Sequence, residues 1–170
     1  MFPSVERLLQ IVAHDLDPEF VESVAIGAAW GYSTLYDDIA AETGLPEALR
    51  AEQFSRRRGY VMANAIKRAA SQHGVPYDFL RLECNGQMKL LVKAGRVILI
   101  QEPILTLEDH PRAADYKVKL AGVHGLISQA ELDLGDRRRR VQDWSGCVLG
   151  VLLHGAVGKE FTQRDRMLGS

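Results

Sequence analysis

The densest chemistry in the chain belongs to two groups of arginines: Arg56, Arg57 and Arg58, and the run Arg137, Arg138, Arg139 and Arg140 that follows Gly135-Asp136. Guanidinium groups present planar donor forks that match phosphate and carboxylate oxygens. Together with Arg50 these residues are the candidate nucleic-acid contacts, and Trp144 is near enough to the second run to stack on an unpaired base. The competing reading is a solvated turn, since consecutive charges cannot all point one way and Asp133, Asp136 and Asp143 neutralise much of the run. Other chemistries find less support. His14, His73, His110, His124 and His154 fall into no HxxxH, HExxH or Cys/His spacing, so neither a metal nor a cofactor is expected. GxSxG, Walker and GxGxxG loops are absent from the sequence. Cys84 and Cys147 sit in apolar, strand-like segments, where a thiol is ordinarily an inert core group.

Two short segments resemble known constellations. Tyr36-Asp37-Asp38-Ile39-Ala40-Ala41-Glu42-Thr43-Gly44-Leu45-Pro46 resembles the middle of a helix-turn-helix, with Ala at the packed position, Gly in the turn and Leu plugging the corner. That resemblance implies that the next helix, bearing Arg50, Arg56, Arg57, Arg58, Lys67 and Arg68, faces a nucleic acid, with the hairpin Leu80–Val92 as a wing. The acids Asp37, Asp38, Glu42 and Glu47 lie close to that face and depart from the pattern. Asp78, followed by Gln87-Met88-Lys89, loosely resembles the acid and the (D/E)xK triplet of a metal-dependent hairpin nuclease, in which carboxylates hold Mg²⁺ and the lysine positions water. Strand alternation puts Gln87 and Lys89 on one face, but Gln87 stands where that family carries its second carboxylate.

These residues are positioned by a chain of 170 residues that is 46% apolar, 25% charged and 7% aromatic, close to an ordinary globular domain. Its longest apolar stretch, near Cys147–Leu153, is far shorter than the roughly 20 residues a membrane span needs. The first residues carry no basic segment followed by an apolar one, as a signal peptide would, and the cysteines form no disulfide framework. A cytoplasmic location is expected. The net charge of −1 conceals an asymmetry: residues 1–49 hold nine acids and one base, a net −8, while the remainder holds 20 bases and 13 acids, a net +7. The two parts can dock on each other, or the basic part can meet an anionic partner.

The periodicity predicts helices over residues 1–76. Ser4 can cap the first, and Asp17-Pro18-Glu19 starts the second with an N-cap, a proline at N1 and an acid in the first turn. Gly27 and Gly31 fall on one face of that helix, where glycines admit a closely packed neighbour, and Gly44 is expected as a left-handed C′ residue. A further helix opens at Pro46 and stops at Gly74-Val75-Pro76. From Tyr77 the period changes to two: Leu80–Cys84, an Asn85-Gly86 type I′ turn, Met88–Val92, an Ala94-Gly95 turn and Val97–Ile100 form a three-stranded antiparallel meander. A weak helical stripe over Pro111–Ser128, a short strand at Leu132–Leu134 and a buried strand at Cys147–Leu153 complete the reading.

The expectation is an α+β fold: an amino-terminal helical layer of about three helices (1–76) packed on an antiparallel β-rich region (77–170) with one shared core. Its function is read as a small non-catalytic binding or regulatory module whose basic surface meets an anionic partner, nucleic acid first. The alternative is a protein-binding antitoxin, immunity or adaptor protein that uses the acidic helices. The third reading is the divergent nuclease with Asp78, Gln87 and Lys89.

Overall fold

A computed structural model describes residues 4–82, 85–104, 108–112, 117 and 147–155. Three helices precede four strands: α1 (Val5–Asp15), α2 (Pro18–Ala41), α3 (Glu47–Gln72), β1 (Tyr77–Arg81), β2 (Met88–Ala94), β3 (Val97–Pro103) and β4 (Val148–His154). The expected α+β arrangement, helices first, is the one observed. The helix signals act as read. The Ser4 side chain accepts from the Arg7 N–H to cap α1, and Asp17 accepts from the Glu19 N–H with Pro18 at N1 of α2. At the end of α3, Gly74 takes φ 66° and the Val75 N–H bonds back to the Ala70 carbonyl at 2.8 Å, the crossed bond of a Schellman stop.

α2 and α3 form one long antiparallel hairpin. A Cβ on Gly27 would lie 3.3 Å from Ala65 Cβ, and one on Gly31 would lie 2.5 Å from Val61 Cγ1. The two glycines are therefore what lets the helix axes approach. Phe20 meets His73 edge-on near one end of the hairpin, and Leu35 and Ile39 pack on Phe54 near the other. This pairing along the whole length differs from the resemblance to a helix-turn-helix, whose helices cross at about 90–120° and touch only near the turn. The turn differs too. α2 ends at Ala41 and its cap is Glu42, whose N–H bonds to the Ile39 carbonyl, while among the described residues the left-handed glycines are Gly74, Gly86 and Gly95 and do not include Gly44.

The sheet has the order β1-β2-β3-β4. β1, β2 and β3 form the expected meander, but β4 runs parallel to β3, with Val97 opposite Val148 and Pro103 opposite His154. The sheet is thus mixed rather than wholly antiparallel. A parallel neighbour requires a long crossover connection instead of a hairpin, and the 44 positions from Ile104 to Cys147 supply its length. The first hairpin also differs from the expected two-residue turn. Leu82 donates to the Gln87 carbonyl at 2.8 Å, so four residues separate the paired positions, and Arg81 rather than Glu83 lies opposite Met88.

Both faces of the sheet are packed. The helix-facing side joins Leu90, Val92, Phe79 and Leu99 to Phe20, Val24, Met62, Ile66 and Ala69. The other side gathers Leu80, Leu82, Leu91, Ile98, Ile100 and Cys147. α1 is tied to the sheet by charge. Arg96, in the β2–β3 turn, gives Asp15 three donors, its backbone N–H, Nε and Nη2, each at 2.7 Å. An acid of the acidic front thereby meets a base of the basic rear. Among the described residues no helix is long and apolar enough to cross a membrane. The expected helix over Pro111–Ser128, apart from residues 111, 112 and 117, lies outside the described residues, as do the strand at 132–134 and Trp144.

Candidate interaction surface

The helical hairpin has two faces of contrasting chemistry. On the inner face, a chain of polar groups runs from α2 to the sheet and back to α3. The Tyr32 hydroxyl lies 2.5 Å from His154 Nδ1, His154 Nε2 lies 2.5 Å from Gln101 Oε1, and Gln101 Nε2 donates to the Gly59 carbonyl at 3.2 Å. The tautomer follows from the partners: Gln101 Oε1 can only accept, so Nε2 carries the proton and Nδ1 accepts from Tyr32. Burial, reinforced by the nearby Arg58 charge, pushes the His154 imidazole down to about 4. Burial likewise pushes the Tyr32 hydroxyl up to about 12. At neutral pH both are neutral, and both ring nitrogens of His154 are engaged. The ring has no nitrogen left for a metal or for general base chemistry, and the chain works as a buried polar tie between α2, α3, β3 and β4.

On the outer face, α2 and α3 border a groove of about 460 Å³ lined by Ile26, Trp30, Asp38, Arg57, Val61 and Arg68, among others. Ile26 is 64% exposed and Trp30 62% exposed. An ordinary amphipathic helix turns one apolar stripe to its core. α2 carries two: Phe20, Val24, Leu35 and Ile39 are buried, while Ile26 and Trp30 face outward. Neither stripe is needed by the other, so the outer one is surplus to the fold.

The candidate cations from sequence are dispersed by the helix. Arg58 is 8% exposed and turns inward, where Nη1 donates to the Ile104 carbonyl at 3.1 Å; it is thereby removed from the exposed cluster. Arg50 is half-buried and its Nη2 donates to the Glu42 carbonyl at 2.9 Å, closing the α2–α3 turn. Arg56 pairs with Glu52 one turn earlier at 2.5 Å. Arg57 alone of these four lines the groove, together with Arg68. Three neighbouring residues on a helix span most of a turn, so a cluster in sequence becomes three directions in space. Arg137, Arg138, Arg139 and Arg140 lie outside the described residues.

Asp78 and Lys89 share the sheet face opposite the helices, because Asp78 is paired with Leu91 and Lys89 with Leu80. Asp78 is buried, and its Oδ1 accepts from the Phe79 N–H at 2.7 Å. Gln87 stands exposed just before β2. Burial holds the Lys89 amine below its ordinary value, against the pull of Glu102. Glu102, which has no lysine two residues on and so does not fit the nuclease triplet, is the carboxylate whose charge acts on Lys89. It accepts from Lys117 Nζ and from the Arg112 N–H, and these outweigh burial to leave it below the usual carboxylate range. The Arg112 Nε also lies 3.7 Å from Oε1, so Glu102 is already held by the charges of Lys117 and Arg112.

Asp17, Glu19 and His73 bring three possible ligand atoms within 4.8 Å of one another at the open end of the hairpin. Each already has a role in the fold: Asp17 caps α2, Glu19 lies in its first turn, and His73 shares a 2.7 Å hydrogen bond with Ser23.

Of the features described, the groove with its uncovered tryptophan is the one for which the fold itself has no use. Its signal in the sequence was an apolar content on α2 too even around the helix for a single buried stripe. No family model matches the chain, and no match was found among curated proteins or among solved structures.

Proposed function

We propose that this chain is a small cytoplasmic, non-catalytic protein-binding module, in the class of antitoxins, immunity proteins and adaptors. The outer groove of the α2–α3 hairpin is its contact surface. The observation that carries the reading is the exposed pair Ile26 and Trp30, flanked by Asp38, Arg57 and Arg68. A large aromatic beside arginines is the composition in which protein interfaces concentrate their binding energy. The test is purification of the tagged chain from its native host, as wild type and as Trp30→Asp. A protein recovered at stoichiometric amounts with the wild type and lost from the variant, with thermal unfolding unchanged, is expected. Equal recovery with both forms would overturn the reading.

A second reading, nucleic-acid binding, is favoured by Arg57 and Arg68 beside a tryptophan open to stacking. It requires affinity for duplex DNA or single-stranded RNA that falls with salt, by about 0.9 in log K per log salt for each phosphate neutralised on a duplex. Anisotropy titrations at two salt concentrations separate it from the protein reading, which requires no such affinity.

A further inference from the structure

The charges around the groove are arranged by helix. α2 contributes acids: Asp38 lines one end, and Glu22, one turn before Ile26, is exposed just beyond the lining at the other. α3 contributes arginines at both ends. The contacts Gly27–Ala65 and Gly31–Val61 fix the levels of the two helices, so Arg68 stands near the level of Val24 and Arg57 near that of Leu35. Asp38 and Arg57 thus stand at one end of the groove and Arg68 at the other, with Glu22 just beyond that end and Ile26 and Trp30 between. The lining runs from Ser23 to Asp38 on α2, a length of about 22 Å at 1.5 Å per residue.

This pattern is self-complementary. Two copies brought face to face by a two-fold axis that lies in the plane of the groove and runs along the helices set the α2 acids of one against the α3 arginines of the other. Glu22 then meets the partner's Arg68 and Asp38 meets the partner's Arg57. An axis across the helices would instead set Glu22 on the partner's Asp38 and Arg68 on the partner's Arg57, so the charges select the axis along the helices. With the axis along the helices the apolar centres also meet. An isologous contact needs one surface that fits itself, and a surface meant for a uniformly anionic or cationic partner would not alternate its signs in this way.

We infer that the occupant of the groove is a second copy of this chain, giving a two-fold dimer that joins two α2–α3 hairpins into a four-helix layer. The inference rests on the protein-binding reading above and names its partner. All four charged positions are exposed, so they can be changed without disturbing the core.

The experiment uses two double variants of the whole chain, Glu22→Arg/Asp38→Arg and Arg57→Glu/Arg68→Glu, followed by sedimentation velocity. The wild type is expected to sediment as a dimer at tens of micromolar. Each variant alone presents like charges to itself and is expected to be a monomer, its dissociation constant raised at least about 30-fold. An equimolar mixture is expected to regain the dimer, since one variant is wholly basic at the groove and the other wholly acidic. Circular dichroism of each variant checks that the helices are intact. A wild type that stays monomeric throughout this range would overturn the inference, as would variants that dimerise alone as well as the wild type does. A monomeric wild type that still recovers a different protein through Trp30 would refute the second copy and leave the protein-binding reading standing, so the two failures are distinguishable.

Discussion

The two faces of the α2–α3 hairpin solve opposite problems. The inner face carries Tyr32 and Arg58 into the core, and there each nitrogen and oxygen of the Tyr32–His154–Gln101–Gly59 chain meets a partner. The outer face leaves Ile26 and Trp30 uncovered and puts unburied charges around them. A buried polar group costs about 1–3 kcal/mol if its partner is lost, whereas an exposed aromatic is tolerated by the folded state and is of use only to a partner. Polarity inside and hydrophobicity outside invert the usual distribution, and each inversion has a separate consequence: the inner one fixes the hairpin on the sheet, the outer one offers it to another molecule.

The largest effect should come from breaking the inner chain. His154→Ala removes a buried ring and strands both the Tyr32 hydroxyl and Gln101, and should cost about 3–4 kcal/mol in urea unfolding. Tyr32→Phe orphans only His154 Nδ1 and should cost about 1–3 kcal/mol. Equal and negligible losses in both would mean that the chain of hydrogen bonds does not hold the hairpin.

The same chain makes stability depend on pH. His154 is neutral in the fold down to about 4, whereas in the unfolded chain it binds a proton from about 6.5 downward. Between those values the unfolded state binds more protons, so stability is full above about 6.5 and falls as pH drops toward 4, by about 3 kcal/mol in total. Unfolding curves at pH 7, 5.5 and 4.5 should show the decline, and His154→Gln should flatten this part of it. Asp15 acts lower down. Hydrogen bonds from the Arg96 side chain and backbone hold its carboxyl well below the usual range, so its contribution is present above about pH 4 and fades only in stronger acid. Asp15→Asn should therefore lower stability at neutral pH and weaken the acid-induced loss.

Gly31→Ala tests the seam between the faces. Its Cβ would reach 2.5 Å from the stiff Val61 side chain, so the helices must part. Overpacking costs about 1–3 kcal/mol, and about 1 kcal/mol returns from the better helix former. A net loss of about 1 kcal/mol in thermal or urea unfolding is expected, and a gain in stability would show that the hairpin is looser than described.

Local signals in the sequence were legible where a residue type has one structural use. The Asp17-Pro18 start and the Gly74-Val75-Pro76 stop bounded helices correctly, and Gly27 and Gly31 marked close packing because only a missing Cβ allows it. The direction of β4 was not legible, since an apolar run covered on both sides reads alike whether its neighbour is parallel or antiparallel. Asn85-Gly86 misled because its dihedral preference fits more than one loop length; here Gly86 uses its freedom, at φ 68°, inside a four-residue loop. The site was harder still. The basic cluster Arg56–Arg58 looked like one surface until helical geometry sent Arg58 to the core and Arg57 to the groove. The His154 chain joins residues 53 and 122 positions apart, a separation that no motif spacing encodes.

The smallest expected effect on the fold and the largest on association belong to one residue. Trp30→Ala should change the unfolding free energy of the monomer by less than about 0.5 kcal/mol, because its ring rests on the surface. The most direct test of the central claim, that the outer face of the hairpin is a binding surface for protein, is a photoreactive residue placed at Ile26 in the native host. The control is the same residue at exposed Glu52. Discrete protein adducts from position 26, absent from position 52 and abolished by Trp30→Asp, are the predicted result. Adducts equal at both positions, or none at position 26, would contradict it.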